Sequence, residues 1–220
     1  MAAALSLYEK SLRYLGVDDS ELAELMAEYC PRFGVDTPER VACFIGQLWV
    51  ESKLKVVEES FNYEKLPLLR LFKGRITAEQ AKEYCRSSKQ RANEEAIANT
   101  IYGGEWGLKN LGNCYEGDGF KFRGRGFIQV TGRSNYSKLD MILKWGLVDN
   151  PDILMEKGNA LVAALVFWHT TNRLKTTLND LSDVMDVRRI SLVVNGGLHG
   201  MDERVKVSRG LYEHLGGTLR

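Results

Sequence analysis

The segment from Thr37 to Glu51 constrains the fold more than any other part of the chain, because it has every feature of a half-buried helix. Thr37 suits the N-cap position and Pro38 suits the first helical position. The apolar residues that then recur at helical spacing are Val41, Phe44, Ile45 and Leu48. This spacing predicts one buried face, and Glu51 lies about 20° from Phe44 on the helical wheel. A carboxylate is therefore expected at the margin of a buried face, near the C-terminal end of the helix.

Helical patterns also dominate the rest of the chain. Thr77 and Gln80 have the spacing of a capping box, which predicts a helix start. Apolar stripes, N-cap residues and helix-ending glycines predict the remaining helices. These run from Leu5 to Leu15, from Asp19 or Ser20 to Gly34 with a disturbance at Pro31, from Asn93 to Tyr102, from Asn159 to Arg173, from Val187 to Val194 and from Arg204 to Leu215.

The middle of the chain has a different pattern. The stretch from Leu108 to Asp118 is rich in glycine and asparagine. From Phe120 to Thr131, aromatic and β-branched residues alternate with polar ones, and glycines stand among them. This pattern is typical of a short hairpin whose backbone approaches another group closely. The sequence therefore predicts an α+β fold that is predominantly helical, with one small hairpin.

Composition excludes several classes of protein. With 44% hydrophobic and 27% charged residues, the 220-residue chain is expected to fold as one domain. We expect N-terminal helices over residues 1–34 and a core over residues 35–220, without a separate wall-binding module. A net charge of +1 gives no overall field that would attract nucleic acid. No apolar run reaches the roughly 18 residues of a membrane span, so membrane insertion is not expected.

The start of the chain, from Met1 to Leu15, lacks the basic, apolar and small-residue regions of a secretory signal. We therefore expect synthesis in a cytoplasm without conventional export. The four cysteines and three histidines are scattered, with neither C-x-x-C nor H-E-x-x-H spacing. Free thiols, no metal and no other cofactor are the expectation.

Two carboxyl groups can cleave a glycosidic bond when one donates a proton and the other activates water. Glu51 suits the proton donor, since its apolar neighbours and the C-terminal end of its helix both disfavour a negative charge. The helix position alone, however, fits a salt-bridged surface residue better. Glu58 and Glu59 follow in a segment expected to be extended, where neighbouring side chains point to opposite sides. Phe61 should anchor in the core, which places Glu59 on its side and Glu58 in solvent.

Several motifs together resemble family 19 glycoside hydrolases, and most closely their branch of chitinase-like endolysins from phage and bacteria. They cover the chain from about residue 35 to its C-terminus, and the G-R-G-x-x-Q-x-T block is the most specific. The matching segments are Phe44–Ser52, Glu59–Tyr63, Gly117–Gly119, Phe122–Gly132, Asn135–Tyr136, Val194–Gly197 and Asp202–Arg209. The chain departs from this family at Val50, where histidine is common, and in a spacing between the glutamates that is about one residue shorter.

The resemblance implies roles for individual residues. Glu51 matches the general acid, Glu59 the second carboxylate, and Thr131 a hydroxyl that holds the nucleophilic water. Gln129 and Asn135 match amides that line the substrate cleft. The residues that match a group supporting the second carboxylate are Asn195 and either Arg204 or Arg209.

Three more residues of the motifs are predicted to contact substrate. Arg123 and Arg125 could hold acetamido or lactyl groups, pair with carboxylates, or form a solvated basic face or a nucleic-acid patch. Tyr136, like Trp106 and Phe120, fits either a sugar contact or the core.

The resemblance further implies a lysozyme-like fold of two lobes, with the hairpin beside the cleft. We expect the helix ending at Glu51 and the segment from Glu58 to Tyr63 on one wall, and the segment from Phe120 to Thr131 on another. The carboxylates are expected at the roughly 6.5–9.5 Å of an inverting pair.

The function expected is that of a monomeric endolysin-type enzyme that cleaves the glycan strand of bacterial peptidoglycan. It would be made in a host cytoplasm and reach the wall through another protein's membrane lesion or by injection. The alternatives are a chitinase and a glycan-binding module without activity. Whether the bond is hydrolysed or transglycosylated, and which bond it is, stay open.

Overall fold

The computed structural model describes residues 2–172 and 175–218, and these are mostly helical. The helices in chain order are α1 (Ala2–Tyr14), α2 (Ser20–Tyr29), α3 (Pro38–Ser52), α4 (Lys65–Leu71), α5 (Ala78–Tyr84), α6 (Glu94–Ile101), α7 (Gly104–Leu111), α8 (Asp118–Lys121), α9 (Arg133–Leu143), α10 (Lys157–Thr170), α11 (Leu178–Asp183), α12 (Val187–Asn195) and α13 (Met201–His214). Two 3-10 helices span Cys30–Phe33 and Pro151–Met155. Strands β1 (Val57–Glu58) and β2 (Arg125–Gly126) pair as a two-stranded sheet.

The predicted helix starts are confirmed where a capping side chain was recognised. Thr37 accepts a hydrogen bond from the N–H of Arg40, and Pro38 opens α3. Thr77 and Gln80 form the predicted capping box of α5. Asp19 caps α2, and the disturbance predicted at Pro31 is the 3-10 helix that ends at the left-handed Gly34. The predicted end of the α10 helix at Arg173 lies outside the described residues.

Five helices of the structure were not predicted from the sequence, namely α4, α7, α8, α9 and α11. The predicted hairpin is also shorter than expected. Its first residues belong to α8, and the pairing that remains is an isolated bridge between Arg125 and Val130. The α+β class with a small sheet is nevertheless confirmed.

The chain forms two compact units. The first comprises the chain up to Val56, the short segment Gly126–Ile128 and the chain from Glu156 onward. Its core includes Tyr8 and Met26 from the N-terminal helices, Phe44 from α3 and Phe127 from the short segment. Helices α3 and α13 pack against each other, and a Cβ atom at Gly46 would collide with the side chain of Ser208. Glycine at position 46 is therefore required for this close approach.

The second unit comprises Val57–Arg125 and Gln129–Met155. Phe61, Leu68 and Ile97 are buried in its own apolar core. An ion pair also stabilises the second unit. Arg133 donates from Nε and Nη2 to both oxygens of the buried Asp118, at 2.7 and 2.6 Å. This pair joins the start of α8 to the start of α9. Asp118 also accepts from the N–H groups of Cys114 and Tyr115, which lie in the glycine-rich stretch that the sequence left without a predicted structure.

Burial distinguishes the cysteines. Cys30, Cys43 and Cys85 are buried thiols, whereas Cys114 is exposed.

Within residues 2–172 and 175–218, no group of three or more histidine, cysteine or carboxylate side chains is arranged to hold a metal ion. In the same part of the chain, no helix combines the length and the apolar character needed to cross a membrane.

Candidate active site

Glu51 lies one residue before the end of α3, with its side chain 24% exposed. The chain leaves this helix through two consecutive residues with positive φ, Lys53 at 54° and Leu54 at 57°. Non-glycine residues rarely adopt this conformation, and the side chain of Leu54 is buried. The sharp exit ends the helix one turn after Leu48, which leaves the carboxylate of Glu51 at the margin of the buried face, as predicted.

Arg204 is the partner of Glu51. Its Nη2 donates to Oε1 of Glu51 at 2.6 Å, and its Nη1 donates to Oε1 of Gln47 at 2.7 Å. Its Nε donates to the carbonyl oxygen of His199 at 3.3 Å. Gln47 is itself buried and donates from Nε2 to Oγ of Ser191 on α12 at 3.1 Å. A continuous chain of hydrogen bonds therefore runs from α12 through Gln47 and Arg204 to Glu51.

The loop between α12 and α13 adds support to this arrangement. Asn195 donates from Nδ2 to the carbonyl oxygen of His199 at 3.1 Å, so that one carbonyl accepts from both Asn195 and Arg204. Gly200 has a φ of 66°, and a Cβ there would lie 3.1 Å from Cγ1 of Val50. Val50 therefore lies against this loop.

The surroundings of Glu51 differ from the prediction in two respects. The sequence placed only apolar groups around it, but the buried guanidinium of Arg204 also lies beside it. The arginine of the last helix was expected to support the second carboxylate, whereas Arg204 pairs with Glu51. Arg209 is exposed on α13, so Arg204 is the arginine that reaches a candidate catalytic group. Gln47 was missed, although its place one turn before Glu51 could have revealed it.

The two neighbouring glutamates differ in burial in the predicted sense, with Glu59 less exposed than Glu58. Glu59 is partly buried, Phe61 is fully buried, and Glu58 is exposed. The hydroxyl of Tyr102 donates to Oε1 of Glu59 at 2.7 Å, and the N–H of Gly124 donates to Oε2 at 3.1 Å. The N–H of Glu59 donates in turn to the carbonyl oxygen of Gly124 at 2.8 Å. Each carboxylate oxygen thus has one donor, and the backbone is fixed to the same glycine.

Two predicted site residues converge on Gly124. A Cβ there would lie 2.6 Å from Oε1 of Gln129 and 3.1 Å from Oγ1 of Thr131. Gln129 has a φ of 51° and donates from Nε2 to the carbonyl oxygen of Val57 at 2.7 Å. A positive φ at a non-glycine residue is a strained conformation that often accompanies functional sites. The structure therefore places Glu59, Gln129 and Thr131 around one glycine.

Asn135 joins this group from the start of α9. Its Nδ2 donates to the carbonyl oxygen of Thr131 at 2.8 Å, and its side chain is exposed. Thr131 donates from Oγ1 to the carbonyl oxygen of Gln129 at 2.9 Å. The predicted cluster of Gln129, Thr131 and Asn135 is thus connected by short hydrogen bonds.

Arg125 has a structural role in place of the predicted substrate contact. It is 1% exposed. Its Nε donates to Glu58 at 3.1 Å, and its Nη2 donates to Asp152 at 2.7 Å. Its Nη1 donates to the hydroxyl of Tyr136 at 3.1 Å. With its donors used by protein groups, Arg125 anchors Glu58 and the loop around Asp152.

Tyr136 and Arg123, like Arg125, contact protein groups in place of the predicted substrate. Tyr136 is fully buried, and burial raises the pKa of its hydroxyl to about 12. That hydroxyl donates to the carbonyl oxygen of Arg123 at 3.0 Å. Arg123 pairs with Glu58 at 2.7 Å, and its guanidinium lies 4.0 Å from the ring centroid of Phe120. Of the alternatives for the two arginines, pairing with a carboxylate is the one observed.

Comparisons with known proteins relate the chain to a family. No protein-family model matches the chain. A glycosyl hydrolase family 19 domain-containing protein of Haemophilus influenzae is 31% identical over 175 residues, which are 77% of each chain. An endochitinase of Pisum sativum is 30% identical over 113 residues, which are 43% of this chain and 35% of the endochitinase.

Solved structures are similar in fold. Chitinase C from Streptomyces griseus has a TM-score of 0.57 at 14% identity, over 96% of this chain and 76% of its own. A mutant of chitinase C also has a TM-score of 0.57, at 16% identity, over 96% of this chain and 92% of its own. At these identities the structures support the fold alone, whereas the Haemophilus relative is similar enough in sequence to assign a family. The chain belongs to glycoside hydrolase family 19.

Proposed function

We propose that this family 19 glycosidase hydrolyses the glycan strand of bacterial peptidoglycan, with Glu51 as general acid and Glu59 as general base. The observation that carries the proposal is the setting of Glu59. Its two oxygens are fixed by Tyr102 and by the N–H of Gly124, and Gln129 and Thr131 converge on that same glycine. A carboxylate fixed beside an amide and a hydroxyl is suited to hold and deprotonate a water molecule.

The proposed reaction is a single displacement with inversion. Glu51 donates its proton to the glycosidic oxygen as the bond to the anomeric carbon breaks. Glu59 removes a proton from a water molecule, whose oxygen forms the new bond to that carbon. Thr131 and Gln129 accept and donate hydrogen bonds that orient the water. At the end Glu51 is charged and Glu59 is protonated, and exchange with solvent restores both.

Arg204 supports the acid role in a specific way. A glutamate that has given up its proton carries a negative charge in a half-buried setting. The guanidinium at 2.6 Å stabilises that charge as it develops. Because Gln47 and the carbonyl oxygen of His199 also bind Arg204, the cation does not have to move during the reaction.

Peptidoglycan is favoured as substrate by the endolysin-like motifs in Phe122–Gly132 and by the bacterial source of the Haemophilus relative. Chitin is the second candidate, because the relative from Pisum sativum is described as an endochitinase. The two polymers differ at one substituent, since peptidoglycan carries a lactyl-peptide on every second sugar. An inactive glycan-binding protein is the third candidate.

The proposal is tested by incubating the wild type, Glu51→Gln and Glu59→Gln with purified peptidoglycan and with a chitin hexasaccharide. We expect the wild type to release muropeptides, which mass spectrometry identifies by their reducing ends. Each variant should lose about 10²–10⁴-fold in rate, the usual contribution of a general acid or base. Products from the hexasaccharide alone would establish the chitinase alternative. Binding of either polymer without any product would establish the inactive module.

Anhydro ends on the muropeptides would instead show transglycosylation, and would contradict the hydrolytic role of Glu59. Variants that release products at the rate of the wild type would contradict both carboxylate assignments. Circular dichroism of each variant checks that a lost activity does not reflect a lost fold.

A further inference from the structure

We infer that Tyr102 is a positioning residue for Glu59, a role that rests on the proposed function of that carboxylate. Tyr102 follows α6 directly, and its hydroxyl donates to Oε1 of Glu59 at 2.7 Å. The contact joins two residues 43 positions apart in sequence. Tyr102 lies outside the motifs that resemble family 19, and it joins the residues that orient the catalytic base.

The backbone of Tyr102 is held in place by contacts of its own. Its carbonyl oxygen accepts a hydrogen bond from Nδ2 of the buried Asn113 at 2.9 Å. A Cβ at Gly107 would collide with the same carbonyl oxygen. Asn113 is held in turn, since its Oδ1 accepts from the N–H of Arg133 at 2.9 Å. The Cα of Tyr102 is therefore located by contacts that do not involve its ring.

The ring of Tyr102 is enclosed by other aromatic rings. Phe61 contacts it edge to face with centroids 5.6 Å apart, and Phe72 does so at 6.2 Å. Trp106 stacks on it at 6.3 Å with an interplanar angle of 21°. The guanidinium of Arg75 lies 3.9 Å from the ring centroid of Trp106, which extends the stack by a cation–π contact. A ring held on several sides keeps its hydroxyl in one direction.

The hydroxyl of Tyr102 stays a donor throughout the working range of pH. Burial raises its pKa above the ordinary range, and the charge of Glu59 and the hydrogen bond to it raise it further. A neutral phenol on one oxygen and the N–H of Gly124 on the other define the plane of the carboxylate. Each oxygen keeps a further lone pair for a water molecule. A base held in one orientation avoids the loss of rate that a misplaced group causes.

The substitution Tyr102→Phe tests this role, because it removes the hydroxyl and keeps the ring in its aromatic enclosure. We expect kcat on the polymer that the wild type cleaves to fall about 10- to 100-fold, the range expected for one hydrogen bond to a charged group. KM should change less than about twofold, because the proposed role of the hydroxyl is exerted through Glu59. Thermal unfolding is measured on the same samples.

Tyr84→Phe is the matched control. Tyr84 lies at the end of α5 and packs, partly buried, against the apolar core of the same unit. The donors to the two oxygens of Glu59 are Tyr102 and Gly124. Tyr84→Phe should therefore keep the kcat of the wild type within about twofold.

A double-mutant cycle separates positioning from general support of the fold. In a Glu59→Gln background, where the base is absent, Tyr102→Phe should lower the residual rate less than about twofold. An equal loss in both backgrounds would overturn the inference, and so would a Tyr102→Phe enzyme with the kcat of the wild type. If Glu59→Gln itself were fully active, the proposed function would fail, and the result would be distinct from a failure of the inference.

Discussion

Arg204 on α13 and Glu51 on α3 form an ion pair at 2.6 Å, in which the arginine side chain is 2% exposed. The packing of the two helices determines the position of this pair, since Gly46 allows Ser208 to approach closely. The same arginine binds Gln47 and the carbonyl oxygen of His199. Within the first unit, Glu51 therefore belongs to a rigid polar network that reaches α12 through Ser191.

This network predicts that Arg204→Lys lowers both activity and stability. A lysine has one ammonium group and cannot reproduce the planar fork that binds Glu51, Gln47 and a carbonyl together. We expect the rate of glycan cleavage to fall at least about tenfold, and the free energy of unfolding to fall by about 2–4 kcal/mol. Urea unfolding and an assay on the cleaved polymer measure the two effects.

Arg209→Lys is the control for that prediction, because Arg209 lies on the same helix but is exposed. Its stability and activity should stay close to those of the wild type. Equal effects at positions 204 and 209 would contradict the assignment of Arg204 to the network.

The two neighbouring glutamates should respond differently to substitution. Glu59→Gln should lose most of the activity, because the amide cannot remove a proton from water. Glu58→Gln should keep most of it, since Glu58 pairs with Arg123 and Arg125 and not with the Gly124 cluster. It should instead lower the free energy of unfolding by about 1–3 kcal/mol, because the buried Arg125 loses part of its compensation. Measuring both variants for rate and urea unfolding decides this, and an inactive Glu58→Gln would reverse the assignment.

Local patterns allowed much of the fold to be predicted from the sequence. The caps at Thr37 and Thr77 depend on residues three positions away, and the opposite directions of Glu58 and Glu59 follow from an extended backbone and the anchor at Phe61. Short helices such as α8 were missed because aromatic and glycine residues there imitate a strand pattern.

The partners of the site residues could not be predicted in the same way. Glu51 and Arg204 are 153 positions apart, and Glu59 and Tyr102 are 43 apart. Such pairs depend on how helices pack, which periodicity within one segment does not contain. The resemblance supplied Gln129 and Thr131, but their convergence on Gly124 is a property of the folded chain.

The pair of Asp118 and Arg133 predicts how stability depends on pH. Burial alone would raise the pKa of Asp118, but hydrogen bonds from Arg133 and from the N–H groups of Tyr115 and Cys114 lower it below 3.8. A lowered pKa in the folded state stabilises the fold above the unfolded value of 3.8, and this contribution is lost as the pH falls through the folded value. The wild type should therefore lose stability as the pH decreases below about 4.

Asp118→Asn tests that contribution. It should lower the free energy of unfolding at pH 7 by about 2–4 kcal/mol, since the partly buried guanidinium of Arg133 loses its charged partner. Below about pH 4 the difference from the wild type should shrink, because the wild-type carboxylate becomes protonated. Urea unfolding at several pH values measures this, with Glu116→Gln, an exposed neighbour, as control. A difference that stays constant with pH would show that the charge of Asp118 is not the cause.

Gly124 is the position where the smallest change should have the largest effect on the site. A methyl group there would lie 2.6 Å from Oε1 of Gln129 and 3.1 Å from Oγ1 of Thr131, so one or both side chains must move. The N–H of Gly124 also donates to Glu59, and its carbonyl accepts from the N–H of Glu59. We expect Gly124→Ala to lower the rate about 100-fold, the loss that a displacement of about 1 Å can cause.

The matched control is Gly158→Ala in α10, where the added methyl group would lie 3.4 Å from Cδ2 of Leu25, an ordinary contact. Alanine favours the middle of a helix over glycine by about 0.5–1 kcal/mol. Gly158 lies in the first turn of α10, so this variant should be active and about as stable as the wild type. Rates and urea unfolding are measured for both variants. Gly124→Ala should lose far more in rate than in stability, because the displaced side chains are partly exposed and can relax. If Gly124→Ala were fully active, Gln129 and Thr131 would not need the positions that they have in the structure. Their proposed role in orienting the water molecule would then lose its basis.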